Sequence, residues 1–514
     1  MNYKLLGRIL GKIMIMESIL MLAPLIVSFV YQEGLRNYIA FIVPIVALAT
    51  LGSVMQIPKP KRNSIYQKEG FALVALVWII MTLFGAIPFV INKNIPNYID
   101  ACFEIMSGFT TTGASIITDI EAISKSSLFW RSFSHWIGGM GILVFVLIFI
   151  PESNDGSSMH LLRAESPGPK VGKIVSRMKV TARILYIIYL CLTVAEFIIL
   201  LFDASILPEP YAENRVFYSM LTAFGSAGTG GFGFVPNSLE LFSPFSQYVV
   251  SIFLIIFGCN FALYYLILIG KIKEVFRSEE FKTYLLMILS AITIIFISLY
   301  TKMQEFYCVE EAFRHSLFQV ASIMTTTGYT TTNYNMWPEI AKTVLIILMF
   351  VGAMAGSTAG GIKVSRIVMA VKGTYVNIRK LINPRYVPKT KFEGKSLEEK
   401  TTNDVFSFIT LYLFVLLLTV LILSFDPVNG TTLDPIITDL GNETETTHGF
   451  LSNFSAALSC ISNIGPGLEA VGPYSSFAGY SDFSKLVLTF VMLLGRLEIL
   501  PVLILFTPRT WKRT

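Results

Sequence analysis

Long apolar segments separated by short polar stretches run along most of the 514 residues. The first two, residues 3–31 and 37–57, are each long enough to cross a bilayer as a helix, so we expect an N-terminal hairpin. The first segment lacks the small-residue cleavage site of a signal peptide, and its apolar run is too long for one. The motif Pro58-Lys59-Pro60-Lys61-Arg62 follows and marks a boundary on the cytoplasmic side.

From residue 63 the chain repeats one order of elements four times: an apolar helix, a short helix, a polar loop and a second apolar helix. In unit one the three helical segments are 71–91, 98–109 and 128–150, and in unit two they are 182–202, 213–224 and 245–269. In unit three they are 281–300, 310–323 and 340 onward, and in unit four 405–425, 449–460 and 483–506. Every unit begins and ends on one side of the membrane, as in parallel internal repeats. The sequence therefore predicts an all-α polytopic membrane protein, with a two-helix hairpin at 1–62 and four helix–pore loop–helix repeats around one pore, at 63–160, 161–275, 276–390 and 391–514.

A glycine-centred polar loop lies at the same place in each unit. The clearest two read Thr-Thr-Thr-Gly-Ala from Thr110 and Thr-Thr-Thr-Gly-Tyr from Thr325, and weaker versions surround Gly231 and Gly465. A polar loop at membrane depth is costly unless it lines a water-filled path, so four of them close a ring if the units pack around one axis. Backbone carbonyls and threonine hydroxyls can replace the hydration shell of a monovalent cation, and glycine lets the carbonyls turn toward the axis. The C-termini of the short helices would add partial negative charge there.

The pattern of the second helix in unit three is interrupted at residues 351–361, which contain Gly352, Gly356, Gly360 and Gly361. Such a density of glycine is unfavourable inside a helix. Close helix packing through small residues is one interpretation, but it needs the glycines on one face, whereas glycine, serine and threonine here fall on all faces. We therefore expect a broken helix that lines the path.

Arg496 lies well inside the last apolar segment, where burying its charge is expensive without a partner or water. An ion pair within the helix is the alternative, but Glu498, the nearby acid, is two residues away and faces elsewhere. If the four units ring one axis, unit four lies beside unit three. Arg496 then meets the 351–361 loop beneath the glycine loops, where carbonyls accept its donors and its charge opposes cations. We expect this loop and Arg496 to form a gate.

The composition and the placement of charge agree with this topology. The chain is 54% hydrophobic and 14% charged, with a mean hydropathy of +0.64, which excludes a disordered chain and favours a polytopic one. The net charge of +6 concerns orientation rather than nucleic acid, because basic residues concentrate in the loops between units; the positive-inside rule places these loops and both termini in the cytoplasm. These basic residues are Lys59, Lys61, Arg62, Lys68, Arg163, Lys170, Lys173, Arg177, Lys179, Arg183, Lys271, Lys273, Arg277, Lys282, Lys372, Arg379, Lys380, Arg385, Lys389, Lys391 and Lys395.

The loops on the opposite side carry acidic residues. Asp100, Glu213, Glu310 and Glu311 precede or begin the short helices, and we expect them to concentrate cations at an outer vestibule. The five cysteines are scattered, and the four histidines lack ligand spacing, so neither a disulfide framework nor a metal cluster is expected. Paired carboxylates, a nucleophile motif and a phosphate loop are all missing from the sequence, which argues against an enzyme.

The four loops, the tract from Phe129 to Gly141 and the stretch Gly-Ser-Thr-Ala-Gly-Gly-Ile-Lys from Gly356 to Lys363 closely resemble the Trk/Ktr/HKT superfamily of potassium transporters. The N-terminal hairpin resembles the bacterial, TrkH-like branch, and the resemblance covers essentially the whole chain. It implies potassium uptake through one filter glycine per unit, and glycine rather than serine at position 113 implies a preference for potassium over sodium. The fourth loop departs most from the pattern. The potassium-binding residues implied are Thr111, Thr112, Gly113, Thr229, Gly230, Gly231, Thr326, Thr327, Gly328, Asn463, Ile464 and Gly465.

The resemblance also implies a homodimer in the bacterial inner membrane and a cytosolic, nucleotide-binding ring partner of the TrkA type that controls the gate. The sequence contains no nucleotide motif, so nucleotide would act only through the partner, and no cofactor beyond the transported potassium is expected. A proton- or sodium-coupled symporter with alternating access is the alternative, because such proteins also use re-entrant loops and broken helices. Four equivalent glycines favour a continuous axial pore.

Overall fold

The computed structural model of the chain describes residues 1–58, 67–141, 178–203, 205–208, 210–235, 237–303, 308–383, 389–430, 436–437, 443–444, 448–497 and 499–508. Residues 59–62 of the boundary motif, the predicted helical residues 142–150 and Glu498 lie outside this part. The limits drawn between units at 62–63 and at 160–161 also lie outside it. So do several of the basic residues expected in the cytoplasm: Lys59, Lys61, Arg62, Arg163, Lys170, Lys173, Arg177 and Arg385.

The N-terminal hairpin consists of α1 (Tyr3–Leu20), α2 (Leu22–Val30) and α3 (Leu35–Gln56). Together α1 and α2 make one membrane-length span, and α3 makes the second. The two spans cross at Gly11 and Gly52, where a methyl group on either glycine would lie less than 3.0 Å from the carbonyl oxygen of the other. Small residues allow two membrane helices to approach this closely, so the predicted hairpin is a tightly packed pair.

Each of the four units has the predicted order of helices. Unit one contains α4 (Gln67–Gly85), α5 (Ile87–Ile91), α6 (Tyr98–Phe109) and α7 (Lys125–Gly139). Unit two contains α8 (Met178–Phe202), α9 (Arg215–Gly228), α10 (Pro244–Phe257), α11 (Phe261–Leu268) and α12 (Ile272–Arg277). Unit three contains α13 (Glu279–Lys302), α14 (Val309–Met324), α15 (Glu339–Phe350) and α16 (Val364–Ile382). Unit four contains α17 (Glu399–Leu423), α18 (Phe450–Ser462), α19 (Asp482–Leu497) and α20 (Ile499–Leu503).

The units pack as a closed ring. In every unit the helix after the glycine loop contacts the short helix of the next unit: α7 packs on α9, α10 on α14, α15 on α18, and α19 returns to α6. Six helices of the described residues are long and apolar enough to cross a membrane, or seven if the bent pair α10–α11 counts as one span. The predicted all-α, multi-pass architecture is confirmed, while the sequence limits of the five units remain a prediction.

One expectation about unit two is wrong. The segment 245–269 was expected to be one continuous helix, but α10 and α11 meet at a bend of 91°. Asn260 begins α11 by accepting a hydrogen bond on Oδ1 from the Ala262 backbone N–H at 2.9 Å. The bend also receives the 351–361 loop, because the Gly258 carbonyl accepts the Met354 N–H at 3.1 Å and Phe261 N–H donates to the Gly356 carbonyl at 3.1 Å. Contacts with a distant segment therefore stabilise the bend.

The predicted break in unit three is confirmed. Helix α15 ends at Phe350 and α16 begins at Val364. Between them the chain runs out and back, closed by a parallel bridge between Val351 and Ile362 and by a hydrogen bond of 2.8 Å from Gly352 N–H to the Ile362 carbonyl. We call residues 351–361 the inner loop.

Two short hairpins are the only strands in the described residues. Strand β1 (Lys391–Phe392) pairs with β2 (Lys395–Ser396), and β3 (Ile436–Ile437) pairs with β4 (Glu443–Thr444), both antiparallel. The first hairpin joins unit three to unit four on the side that the positive-inside rule assigns to the cytoplasm.

Candidate functional site

The four glycine loops share one backbone conformation. The residue two places before each glycine has a left-handed φ between 53° and 58°, and the glycines have φ between 67° and 104°. The four residues before the glycines are Thr111, Thr229, Thr326 and Asn463. A left-handed threonine is rare, so four matching positions show that the loops are true structural equivalents, including the fourth, whose sequence departs most.

This conformation arises where each short helix ends. The residue before each glycine donates its backbone N–H to the carbonyl five residues earlier, at 2.8–3.0 Å. The donor and acceptor pairs are Thr112 and Ser107, Gly230 and Gly225, Thr327 and Ser322, and Ile464 and Ser459. This bond, with a left-handed residue just before the donor, is the Schellman motif that ends many helices. Each short helix therefore stops at its loop with its partially negative C-terminus facing it.

The loops contact one another in cyclic order. A methyl group on any of the four glycines would lie less than 3.0 Å from the carbonyl oxygen that precedes the glycine of a neighbouring loop. The pairs are Gly113 with Gly230, Gly231 with Thr327, Gly328 with Ile464, and Gly465 with Thr112. Each pair links one loop to the next, and the fourth returns to the first. The structure thus brings all four predicted loops together in a closed ring, which we call the glycine ring.

A cavity of about 320 Å³ opens on one side of the glycine ring. Its lining includes Gly113, Gly231, Gly328 and Gly465, and otherwise comes mostly from the chain that follows each glycine. The inner loop does not line it; instead, the backbone N–H of Gly360 donates to the Thr326 hydroxyl at 2.7 Å. The cavity and the inner loop therefore lie on opposite sides of the ring.

Arg496 joins the glycine ring to the inner loop, as the sequence predicts. Its guanidinium donates to the Thr358 carbonyl of the inner loop at 2.7 Å and to the Thr111 hydroxyl of the ring at 3.2 Å. The other terminal nitrogen donates to the carbonyls of Gly138 and Gly139, at 2.6 and 2.8 Å, where α7 ends. The fork geometry of arginine suits several carbonyl acceptors at once.

The inner loop packs directly against the ring. Gly360 leaves no room for a side chain, since a methyl group there would lie less than 3.0 Å from the Ser462 carbonyl oxygen and from Asn463 Cβ. Gly352 faces the Gly360 carbonyl in the same way, and Gly361 and Gly356 have φ of 68° and 77°. These four glycines therefore belong to a compact, irregular turn rather than to one smooth helix face, which favours a broken helix over close packing of a continuous one.

A buried ion pair beside the ring was missed by sequence reasoning. Glu104 on α6 is fully buried and binds Arg131 on α7, with a shortest nitrogen–oxygen distance of 2.7 Å. The carboxylate also accepts the Ile116 N–H at 2.9 Å, and Arg131 donates to the Gly233 carbonyl at 3.1 Å. The pair therefore ties the chain after the first loop to the chain after the second. The signal available was two opposite charges inside apolar helices of one unit.

The acidic residues at the cavity differ from those expected. Asp100 is paired with Lys485 at 2.8 Å and Glu310 with Arg314 at 2.8 Å, and none of the four predicted acids is among the lining residues. The exposed carboxylates that do line the cavity are Asp119 and Glu121. The predicted acids do not line the cavity because they lie at or before the first turn of each short helix. The last turn faces the ring, so the first turn is the part of the helix farthest from it.

Two further features characterise these acids. The carboxylate of Asp119 accepts the backbone N–H of Glu121 at 3.0 Å, which orders the turn that carries both. The Tyr211 hydroxyl donates to Glu121, and this hydrogen bond is the main reason why the pKa of Tyr211 rises to about 12. The described lining holds one basic side chain, Arg131, which is already paired with Glu104, so the cavity is left with net negative charge.

The fold and the ring together define a polytopic helical protein of the four-loop pore type. A model of the TrkH family, whose description is cation transport protein, matches residues 37–513. The chain is 31% identical to the Trk system potassium uptake protein TrkH of Escherichia coli K12 and 32% identical to that of Vibrio parahaemolyticus, over 100% of both chains each time. It also matches the crystal structure of the potassium transporter TrkH from Vibrio parahaemolyticus, with a TM-score of 0.82, 30% identity and 100% of both chains covered.

The chain therefore belongs to the TrkH family of cation transport proteins. This confirms the resemblance inferred from the loops and the hairpin. The family is one of transporters and not of enzymes, so the expectation that the chain is not an enzyme is confirmed as well.

Proposed function

We propose that this protein takes up potassium across the cell membrane through the glycine ring, which acts as its selectivity filter. The observation that carries the proposal is the cyclic contact of the four loops, in which the carbonyl before each glycine lies against the glycine of the preceding loop. Relatives along the whole chain are named potassium uptake proteins, which supports potassium as the cargo. The ion-binding residues proposed are Thr111, Thr112, Gly113, Thr229, Gly230, Gly231, Thr326, Thr327, Gly328, Asn463, Ile464 and Gly465.

Carbonyl oxygens can replace the water around a potassium ion without a full negative charge, which binds the ion weakly enough to release it. The four helix C-termini that meet at the ring add partial negative charge without a titratable group. In the fourth loop Asn463 Nδ2 donates to the Thr112 hydroxyl at 2.9 Å and to the Met492 carbonyl at 3.0 Å. That residue therefore braces the ring, and we assign the fourth loop's contribution to its backbone carbonyls.

We further propose that the inner loop and Arg496 form the gate. The loop packs on the side of the ring opposite the cavity, and the arginine adds positive charge directly beneath the filter. Together they would block the path both sterically and electrostatically. The gating residues proposed are Gly352, Gly356, Gly360, Gly361 and Arg496.

The assembly proposed is a homodimer in the inner membrane, with both termini in the cytoplasm. A cytosolic, nucleotide-binding partner would move the gate, and the chain itself would carry no cofactor. The support is family membership together with the basic loops on the side of the inner loop.

The test is reconstitution of the purified chain with its native lipid in a planar bilayer. A pore should give potassium-selective single-channel currents, and proteoliposomes should take up rubidium down its gradient without a proton or sodium gradient. Liposomes without protein serve as the blank. Transport that occurs only when a proton or sodium gradient is imposed, with no unitary currents, would overturn the pore and favour coupled symport.

A further inference from the structure

Glu280 connects the inner loop to the helix that follows it. This residue lies in the first turn of α13, and its side chain is buried. One carboxylate oxygen accepts the backbone N–H of Ala355 at 2.7 Å and that of Ser365 at 3.2 Å. Ala355 belongs to the inner loop and Ser365 to the first turn of α16, so one carboxylate ties both segments to α13. Hydrogen bonds to an ionised acceptor are roughly twice as strong as neutral ones.

The same turn of α13 is also held by the hairpin β1–β2. Its two turn residues, Glu393 and Gly394, have φ of 50° and 70°, as in a two-residue hairpin turn. One oxygen of Glu393 accepts the Ser278 hydroxyl at 2.8 Å and the Glu280 backbone N–H at 3.1 Å. A carboxylate at a helix N-terminus satisfies unpaired N–H groups and favours the helix dipole. Glu280 is thus bound through its backbone by the hairpin and through its side chain by the loop.

A third contact completes the connection. The ammonium group of Lys372 on α16 binds Glu279 at 2.6 Å and the Lys391 carbonyl of the hairpin at 3.2 Å. Glu279 also accepts the Glu393 N–H at 3.3 Å. The hairpin, the first turn of α13 and the helix α16 are therefore joined to one another beside the inner loop. A displacement of the hairpin would consequently move Glu280.

We propose that Glu280 is the positioning residue that holds the inner loop closed, and that the hairpin at residues 391–396 is the lever through which a displacement on the cytosolic side reaches it. The inference rests on the proposed gate and names how that gate is held. When the hairpin moves, Ser278 and the Glu280 backbone N–H at the start of α13 lose their hydrogen bonds to Glu393. The carboxylate then no longer faces both N–H groups, and the inner loop is released at Ala355 and at Ser365 together.

The test uses the full chain without any partner, in proteoliposomes, with rubidium uptake as the readout. Glu280→Gln keeps the shape of the side chain but removes the charge. We expect its initial uptake rate to rise by roughly ten-fold, equivalent to about 1.4 kcal/mol in the opening equilibrium. The half-saturating rubidium concentration and the preference over sodium should stay at wild-type values, because the glycine ring is untouched. Glu393→Gln, at an exposed turn, should raise uptake by a smaller factor, and the double variant should not exceed Glu280→Gln.

Glu274→Gln is the matched control, because this exposed acid on α12 pairs with Lys271 and takes no part in the network. Arg496→Ala is measured alongside as the test of the gate itself. Raised uptake in Arg496→Ala with wild-type uptake in both Glu280→Gln and Glu393→Gln would overturn the inference and leave the gate standing. Wild-type uptake in all of these variants would overturn both. Raised uptake with lost ion preference would mark Glu280 as a structural support of the filter, which also contradicts the proposal.

Discussion

At the residue scale, the positions of most interest adopt conformations that their own chemistry disfavours. Three threonines and one asparagine, each two residues before a glycine of the ring, are left-handed. Residues held in such regions cost of order 1–3 kcal/mol each and persist only where the surroundings enforce them. Here the Schellman bonds enforce them, and Thr326 and Thr111 also use their hydroxyls to contact the proposed gate. Threonine by itself gives no sign of a left-handed backbone, so this conformation could not be predicted from the sequence.

Gly113→Ser should weaken the preference for potassium over sodium by roughly ten-fold, or about 1.4 kcal/mol. The added Cβ would collide with the Gly230 carbonyl oxygen, and the residue would keep a strained φ near 80°. Sodium competition against rubidium uptake measures the effect. Gly270→Ser is the matched control, since its φ is 77° but no atom lies within 4 Å of an added Cβ. An unchanged ratio in well-folded Gly113→Ser, or an equal loss in the control, contradicts the filter assignment.

Arg496→Ala should increase rubidium uptake without a partner, because it removes both the positive charge and the bond to the Thr358 carbonyl. Arg496→Lys should fall between wild type and alanine, since lysine keeps the charge but cannot reach four acceptors as a planar fork. Lys485→Ala, on the same helix but paired with Asp100, controls for loss of a cation from α19. Uptake at or below the wild-type level in matched amounts of folded Arg496→Ala would refute the gate and leave the arginine a structural role.

At the element scale, the sequence predicts helices well wherever one strong signal decides. Apolar length locates the spans, and the density of glycine locates the break between α15 and α16. The 91° bend between α10 and α11 carries a weaker signal, Gly258 and Asn260 in an otherwise apolar run, which a membrane helix can tolerate. It exists because the inner loop, about a hundred residues further on, supplies the hydrogen bonds that a straight helix would have formed internally. Local patterns do not contain that information.

Two equivalent carboxylate clamps fasten the first helix of a unit to the start of the helix that follows its glycine loop. Asp203, after α8, accepts hydrogen bonds from Ser243 and, at 2.7 Å, from Ser246. Asp426, after α17, accepts the Ser481 hydroxyl at 2.6 Å. Burial raises the pKa of each carboxyl, but the serine and backbone hydrogen bonds together outweigh it and hold the pKa below the ordinary value. The clamps therefore favour the ionised form in the folded protein.

Stability should consequently fall as the solution is acidified. A depressed pKa stabilises the folded state above the unfolded value of about 3.9, and this contribution is lost as pH falls through the folded pKa. Asp426→Asn should lower the melting temperature at neutral pH and flatten its decline below about pH 4. Thermal melting of the detergent-solubilised protein across this range measures both effects. Ser481→Ala should reproduce the neutral loss in part, and an undiminished acid decline in Asp203→Asn/Asp426→Asn would contradict the assignment.

At the scale of the whole molecule, four units place one ring between an open cavity and a packed inner loop. The sequence was sufficient to predict the four glycines and the meeting of Arg496 with the loop, because a four-fold repeat makes unit four adjacent to unit three. It was not sufficient for Glu104 with Arg131 or for Glu280 with Ala355, since nothing in the spacing of these residues reveals a tertiary partner. An internal repeat predicts only the features that all four units share. Each of these two polar contacts occurs in a single unit or between one pair of segments, so the repeat does not predict it.

The charge at the cavity wall should act on cations before they reach the glycine ring. Asp119 and Glu121 are exposed at its wall, and like charges in a cleft raise the local concentration of cations. Neutralising both, as Asp119→Asn with Glu121→Gln, should raise the half-saturating potassium concentration several-fold at low ionic strength. The effect should largely vanish at high salt, because the screening length shrinks from about 30 Å at 0.01 M to about 3 Å at 1 M. Maximal flux should not change, since the glycine ring and the inner loop keep their contacts.

Glu339→Gln provides the control, because this exposed acid at the start of α15 carries the same charge but does not line the cavity. If net charge alone mattered, its neutralisation would shift half-saturation by about half as much as the double variant; if location matters, it should leave half-saturation near wild type. Rubidium uptake at low and high ionic strength, with osmolarity held constant, separates the two. A shift in the double variant that is equally large at both ionic strengths would exclude electrostatic concentration. It would indicate instead that the two carboxylates contact the ion directly.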